Sequence, residues 1–275
     1  CEVGLLEETS TAGEYRFRHD RAQQAALRLV PEGEQGKEIR TALGNVLLEQ
    51  LRDTATNDWV LLKATNLLLS GSISAESTPD LAKLCLQASS VSAAKAAFRD
   101  AARYADSGMK LLGHVGWETH YALTLALCNQ SAEKHFNNGK FKSSKKRVRM
   151  IKKKARNMQD RFRAYNVLLD TLNAEADWKK SIEEGRNGLE AIGVSFPRKT
   201  NLICLLTYIW KVKRKLNGRC ANDLENLPVM KNGDIEQALK MLGVMGVAAW
   251  HIGDNDLCVV CSLKMLLLAL DHGIC

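Results

Sequence analysis

The sequence predicts an all-α protein, built as a solenoid of stacked helix pairs with a small β-hairpin remnant at its N-terminal end. Three observations support this fold class. Only four of the 275 residues are proline and 6% are aromatic, which favours helices over a β-sandwich. Apolar residues recur at helical spacing along most of the chain. A two-helix pattern also recurs at intervals of 37 to 43 residues, which is typical of helical repeat arrays.

Residues 1–31 have the pattern of a separate unit. An apolar segment, a turn and the alternating residues 15–19 predict a β-hairpin. Asp20 then stands where a helix N-cap is expected, with Gln23 three residues later. Two interpretations of His19 and Asp20 stay open: a histidine packed under the hairpin beside a capping aspartate, or a contact with another domain. Neighbouring strand residues point to opposite faces, which argues against a catalytic pair.

Residues 32–79 are predicted to be connecting helices. Apolar positions between 39 and 51 have amphipathic helical spacing, and a shorter apolar run ends near Gly71. The stretch 70–80 is rich in small and polar residues, which predicts a loop.

Residues 80–275 are predicted to form the helical repeats. The predicted pairs are 80–97 with 97–113, 118–138 with 140–156, and 159–175 with 177–193. Aromatic residues occupy equivalent places at the turns within these pairs, namely Phe98, Phe141 and Trp178. One helix pair cannot cover its own apolar face, so stacked neighbours cover it and create a long concave surface. The unit 194–233 is irregular, and the turn recurs near 254–257.

Residues 140–156 are the strongest local chemical signal in the chain. They include ten Lys or Arg residues, and no Asp or Glu occurs between positions 134 and 159. Apolar or small residues recur at a 3-4 spacing, so one stripe can pack on the array while the other faces stay cationic. The candidate interaction residues are Lys145, Lys146, Arg147, Arg149, Lys152, Lys153 and Lys154. A second basic cluster lies at 211–215.

Three interpretations of this basic helix stay open. The first is a solvated surface that carries part of the net charge of +8. The second is a binding site for an acidic protein or for another part of the same protein. The third is a binding site for nucleic acid or membrane. The helix has few aromatic residues on which bases could stack, which disfavours single-stranded nucleic acid.

The cysteines and histidines do not form an evident site. Most of the eight cysteines lie in apolar helical runs, which is typical of reduced thiols and predicts a cytoplasmic, reducing location. Cys258 and Cys261 form a lone C-x-x-C, interpreted as two core residues one turn apart. Trp178 and Trp250 are predicted to be packing anchors. Histidines 114, 120, 135, 251 and 272 are predicted to be surface or capping residues.

The longest apolar runs do not predict a membrane span. Residues 202–210 are too few, and the run 257–270 contains Lys264. We expect both to be core helices.

The order of these elements resembles a known family. Phe17, His19, Asp20 and Arg21, followed by paired alanines and Pro31, resemble the end of the winged-helix segment in large AAA-type signalling ATPases of the STAND class. The segments LCLQASSVSAAKAAFRDAARYADSGMKLLG and WETHYALTLALCNQSAEKHFNNGKF are similar to that family's first two tetratricopeptide-like pairs. The resemblance covers roughly residues 1–195. The family's Asn-His-Leu-Asn box is replaced here by ATNLLL at 64–69.

The resemblance implies that the chain is a piece of a longer protein. In that family a protein kinase domain can precede the ATPase, and sensor, histidine kinase or cyclase modules can follow the repeats. ATP and magnesium are then expected only in an upstream domain outside this chain. The winged-helix residues are expected to contact that domain.

The function expected from the sequence is a non-catalytic interaction and regulatory module. The chain contains no phosphate-loop motif, no protein kinase motif set and no histidine kinase box. We therefore expect no cofactor in this chain and no enzymatic activity. The expected partner is a protein, or the ATPase and sensor domains of the same longer protein. The alternative is a helical nucleic-acid-binding protein that uses residues 140–156.

Overall fold

The computed structural model describes residues 6–8, 15–19, 21, 25, 28–53, 57–218 and 227–273. Helices dominate these residues, so the predicted all-α class is confirmed. The predicted hairpin is also present, as strands β1 (Leu6–Glu8) and β2 (Tyr15–Phe17) pair antiparallel. The helices are α1 (Glu34–Asp53), α2 (Asp58–Leu69), α3 (Thr78–Ala94), α4 (Phe98–Leu112), α5 (Gly116–Thr119), α6 (Tyr121–Asn137), α7 (Phe141–Lys154), α8 (Phe162–Ala174), α9 (Trp178–Ala191), α10 (Leu202–Leu216), α11 (Gly233–His251) and α12 (Asn255–His272).

Four turns in the chain have the same geometry. They join α3 to α4, α6 to α7, α8 to α9, and α11 to α12. Each turn contains, after the first helix, one residue with a φ between 57° and 74°, and the second helix begins two residues after it. These positive-φ residues are Ala96, Gly139, Ala176 and Gly253. The next N–H donates to a carbonyl five residues back, as from Lys140 N to His135 O at 2.8 Å. This hydrogen bond is typical of a Schellman helix ending, so the helix pair is the unit that recurs.

The helices pack mainly on their neighbours in chain order. Contacts run from α3 to α4, from α4 to α6, and onward through α7 and α8 to α9. After α9 the contacts pass to α11, and α11 packs on α12. The first helices of successive pairs also touch one another, namely α3 with α6, α6 with α8, and α8 with α11. The first helices therefore lie along one side of the row.

Besides a small cluster of Ala82, Leu112 and Leu127 among α3, α4 and α6, two larger apolar clusters hold this row together. One lies among α6, α7 and α8 and includes Val148, Ile151 and Leu172. The other lies among α8, α9, α11 and α12 and includes Leu189 and the methionines of α11. Two glycines let α9 approach α11: a Cβ at Gly185 would lie 2.5 Å from the Met245 side chain, and one at Gly188 would lie 2.7 Å from the Met241 sulfur. Small residues on α9 therefore set the distance between the third and fourth pairs.

Helix α10 lies outside this row. Its main helix contact is with α12, and α9 packs directly on α11 without it. The helix is capped by Asn201, whose side-chain oxygen accepts a hydrogen bond from Cys204 N at 2.9 Å. The irregular unit 194–233 is thus an insertion between the third and fourth pairs, and its residues 219–226 lie outside the described part of the chain.

The connecting helices α1 and α2 pack on each other, and α2 packs on α3. The predicted loop at 70–80 is shorter than expected, because α3 begins at Thr78 with Pro79 in its first turn. Hydrogen bonds attach the loop to α1: Arg40 Nε donates to Ser70 O, and Ser72 N donates to Thr41 Oγ1, both at 2.9 Å.

Candidate interaction surface

Helix α7 is the predicted basic helix, and its apolar stripe is buried as expected. Ser144, Val148 and Ile151 are buried against α6 and α8. The helix has no acidic residue in its first turn and three lysines in its last. Cations at a helix C-terminus interact favourably with its dipole, which helps the helix to accept so basic a sequence.

Three of the predicted interaction residues bind acidic side chains on neighbouring helices. Lys145 Nζ lies 2.6 Å from a Glu175 carboxylate oxygen at the end of α8. Lys152 Nζ lies 2.9 Å from Glu184 on α9 and 4.7 Å from the centre of the Tyr165 ring. Arg147 pairs with an aspartate of α4, as described below. These cations connect helices within the protein and are not available to a partner.

The other four predicted residues are exposed. Lys146, Arg149, Lys153 and Lys154 have no ion-pair or hydrogen-bond partner within the described residues, and the same holds for Lys142. At 100° per residue, positions 142, 146, 149 and 153 fall within about 60° of one another, opposite the buried stripe. We call these four residues the cationic row; Lys154 is exposed as well but lies about 80° beyond the edge of this face. The sequence indicated a basic helix, and the structure divides its cations between internal ion pairs and this row.

A largely buried ionic cluster lies behind α7. Asp106 of α4 accepts hydrogen bonds from Ser131 Oγ at 2.6 Å, His135 Nε2 at 2.9 Å and Arg147 at 2.9 Å. Burial alone would raise the Asp106 pKa, but the hydrogen bonds from His135 and Ser131 and the charge of Arg147 outweigh it and lower the pKa to about 2. The cluster therefore joins the first and second helix pairs through an ionised aspartate.

The same cluster contains Ser, His and Asp but lacks the geometry of a hydrolytic triad. The Ser131 hydroxyl donates to Asp106 and not to His135, and Ser131 is fully buried. A nucleophilic serine needs a base that takes its proton and access to substrate. The prediction that His135 is a surface or capping residue is wrong, because its ring is buried in this cluster. Only the folded arrangement places Asp106, 29 positions away, beside it.

The residues whose pattern resembles the end of a winged-helix segment are only partly described. Phe17 pairs through its backbone with Leu6 in the hairpin, and Arg21 is exposed. His19 is exposed as well, so it is not packed under the hairpin. Asp20 lies outside the described residues, and its predicted capping role stays a prediction.

The repeat-junction residues lie where the sequence placed them. Phe98, Phe141 and Trp178 are each the first residue of the second helix in a pair, and each is half-buried. The Trp178 ring stacks on His251 with centroids 4.2 Å apart. Trp250 does not fit its predicted role as an anchor, because it is 66% exposed.

The cysteines that the structure describes are free thiols. Burial raises the pKa of Cys85, Cys128 and Cys261 to about 12, so these thiols stay protonated and weakly reactive. Cys258 and Cys261 lie one turn apart on α12, as predicted. In the described part of the chain, no group of three or more His, Cys, Asp or Glu side chains is arranged to hold a metal ion.

The structure also contains a groove that the sequence did not indicate. It lies between α8 and α11, with a volume of about 770 Å³, and Asn166, Asp170, Gly243 and Val247 help to line it. The only lysine in its lining, Lys240, is paired with Glu236 at 2.7 Å. The groove is mostly apolar, with two amide groups and the Asp170 carboxylate in its lining, and its residues are far apart in sequence, so no local pattern could reveal it.

Comparisons with known proteins do not assign the chain to a family: no protein-family model matches it, and no curated protein matches it in sequence. None of the described helices combines the length and the hydropathy that a bilayer span requires.

Proposed function

We propose that this chain is a tetratricopeptide-like α-solenoid that binds an acidic protein surface and has a regulatory, non-catalytic role. The observation that carries the proposal is the cationic row of α7. Four cations lie there on one exposed face, while the inward cations of the same helix are neutralised by neighbouring carboxylates.

The contact order of the helices supports the solenoid. First helices of successive pairs touch one another, whereas the described second helices have no contacts of comparable extent with one another. When successive helix pairs lie closer together along one edge of their stacked row, the row curves towards that edge. The first helices therefore line the concave side and α7, a second helix, lies on the convex side. The groove between α8 and α11 is then on the concave side, where it offers a second surface with little net charge.

The charge pattern of the row favours a partner over a merely solvated face. Like charges three or four positions apart destabilise a helix by about 0.2–0.5 kcal/mol per pair. Lys142 with Lys146, Lys146 with Arg149, and Arg149 with Lys153 are such pairs. The row thus opposes the stability of its own helix, and an acidic surface placed on it would relieve the repulsion.

The size of the row favours a protein over a nucleic-acid duplex. From Lys142 to Lys153 it spans about 16 Å at 1.5 Å per residue. The next second helix, α9, carries three acidic and three basic residues, so the positive surface does not continue there. Specific duplex-binding interfaces usually bury about 1,000–2,500 Å² of protein surface, which is more than one face of a four-turn helix provides.

The proposed regulatory context is a larger STAND-type signalling ATPase, in which the row binds another domain of the same protein. The support is the resemblance of residues 1–195 together with the hairpin-then-helix-pair order of the structure. This parentage can be tested by sequencing the reading frame upstream of this segment. We expect a phosphate-loop motif about 250–350 residues before this segment, as the size of an intervening domain requires; a frame without one would contradict this parentage.

The acidic partner can be tested with a labelled glutamate-rich peptide and a labelled DNA duplex, by fluorescence anisotropy over a salt series. The test variant is Lys146→Glu/Arg149→Glu. The matched control is Lys179→Glu/Lys180→Glu, which makes the same charge change at exposed sites of α9. We expect the test variant to weaken peptide binding by about tenfold or more, equal to about 1.4 kcal/mol, and the control to change it little.

Three outcomes would contradict the proposal. Tighter binding to the duplex, with a steep salt dependence that the test variant removes, would establish the nucleic-acid alternative. Binding to neither probe would show that the row is a solvated face. Nucleotide hydrolysis by the purified chain would contradict the non-catalytic role.

A further inference from the structure

Helix α10 exposes a stripe of large apolar side chains. Ile203 is 75% exposed and Leu202 66%. Leu206, Ile209 and Trp210 are also exposed, by 44–57%. At 100° per residue these five positions fall within about 120° of one another. The opposite side, with Val212 buried, faces α12. The prediction that this segment is a core helix is therefore wrong for half of its surface.

The C-terminal end of the same helix is cationic. It carries Lys211, Lys213, Arg214 and Lys215, and the helix contains no acidic residue. Arg214 lies 5.0 Å from the centre of the Trp210 ring, and Lys211 Nζ lies 5.4 Å from that of Tyr208. The apolar stripe thus ends in aromatic rings with cations beside them. Lys213 falls in line with Leu202 and Leu206 around the helix, so the stripe and the charge share one exposed face.

A further lysine adds to this charge from the helix beneath. Lys264 of α12 is half-buried, and burial together with the nearby charges of Lys211 and Lys215 lowers its pKa. Asp271, paired with Lys215, is the one carboxylate that the described residues place in ion-pair contact with this cluster. The cluster is therefore short of negative charge, and an anionic group from outside would supply it.

We propose that α10 docks the protein on an anionic lipid surface. Its apolar stripe would enter the boundary between headgroups and acyl chains, and Lys213 and Arg214, within or beside the stripe, would face lipid phosphates. Helices with an apolar face, aromatic residues and a cationic flank bind in this way, and each basic residue near an anionic leaflet contributes about 1 kcal/mol.

The observations favour lipid over a second copy of the chain. A two-fold contact through α10 would bring two cationic helices together, and α10 has no carboxylate to neutralise them. The insertion also carries α10 outside the helical row, so docking leaves the contacts within the row intact.

The proposal can be tested by sedimentation of the whole chain with vesicles of phosphatidylcholine, alone or mixed with phosphatidylserine. We expect binding to the mixed vesicles, little binding to the neutral ones, and a blue shift of tryptophan emission that Trp210→Phe removes. Ile203→Ser/Leu206→Ser and Lys213→Glu/Arg214→Glu should each reduce binding by about tenfold or more. Because these residues are exposed, circular dichroism should show an unchanged fold.

Matched controls separate this proposal from the acidic partner of α7. Lys146→Glu/Arg149→Glu makes the same charge change on the cationic row, and Val247→Ser/Val259→Ser removes exposed apolar groups from α11 and α12. Both controls should keep vesicle binding. Loss of binding in the α7 variant, or equal binding to neutral vesicles, would overturn the proposal. A dimer in sedimentation velocity that Ile203→Ser/Leu206→Ser dissociates would assign the stripe to self-association instead.

Discussion

Helices α7 and α10 are both amphipathic and cationic, but they differ in composition and environment: α7 has eight Lys or Arg among 14 residues, and α10 has four among 15. Each is about four turns long, each carries several cations, and each has an apolar stripe. In α7 the stripe is buried, and three cations bind carboxylates of neighbouring helices. In α10 the stripe faces solvent, and one lysine pairs with an aspartate of α12. The helix richer in apolar residues is thus the one whose stripe is exposed, so the position within the row of pairs, rather than apolar content, decides which amphipathic face is covered.

The largest expected effect comes from truncating the same residue type in each helix. Ile151 of α7 is fully buried, whereas Ile203 of α10 is 75% exposed. Ile151→Ala should lower the free energy of unfolding by about 2–5 kcal/mol through lost burial and a cavity. Ile203→Ala should change it by less than about 0.5 kcal/mol. Urea denaturation followed by circular dichroism measures both, and similar losses would show that α10 is packed as tightly as α7.

We also expect the ionic contacts of α7 to contribute more to the free energy of unfolding than those of α10. Asp106→Ala leaves Arg147 and His135 without their shared acceptor in a largely buried site. It should cost about 2–4 kcal/mol, somewhat below the range for fully buried pairs. Asp271→Ala removes the exposed partner of Lys215 and should cost less than about 1 kcal/mol. Equal costs in thermal or urea unfolding would contradict the interpretation that the Asp106 cluster joins the first two pairs.

The ionised state of Asp106 predicts an acid-dependent loss of stability. Its pKa is about 2 in the folded chain, against a usual value of 3.8. Because the folded pKa is depressed, the stabilisation is fully present above about pH 4 and disappears as the pH falls towards 2. The loss should be roughly 2 kcal/mol for this group. Urea midpoints measured across this range should fall less steeply in Asp106→Asn, and an unchanged pH dependence in that variant would disprove the assignment.

The smallest expected effect concerns the turn between the two helices of a pair, which precedes α7 but has no counterpart before α10. In two of the four such turns the residue with positive φ is an alanine, Ala96 or Ala176, at 57°. In the other two turns it is Gly139 or Gly253. Glycine adopts this conformation without the steric cost of a Cβ but loses more entropy on folding. Ala176→Gly should therefore raise the unfolding free energy by up to about 1 kcal/mol.

A nearby alanine provides the control for this last substitution. Ala174→Gly, at an exposed helical position of α8, should lower the unfolding free energy by about 0.5–1 kcal/mol. A decrease of the same size in Ala176→Gly would contradict the role given to the turn.

The sequence was most informative where local spacing sets the structure. Phe98, Phe141 and Trp178 indicated the three turns, and the 3-4 spacing around Val148 and Ile151 indicated the buried side of α7. Single-residue expectations were less successful. His135 is buried, and Trp250 is exposed, because each depends on which distant helix lies opposite.

By itself the sequence determined the helix pairs, the hairpin and the concentration of cations on α7, because hydrogen bonding within a helix and its apolar period involve residues close together in the chain. Only the tertiary structure decided which cations are free, which histidine joins Asp106, and that α10 keeps an apolar face in solvent. Ion pairing and burial depend on contacts between side chains of helices that are tens of residues apart in the sequence, and the stacking of the helix pairs decides which of these contacts form.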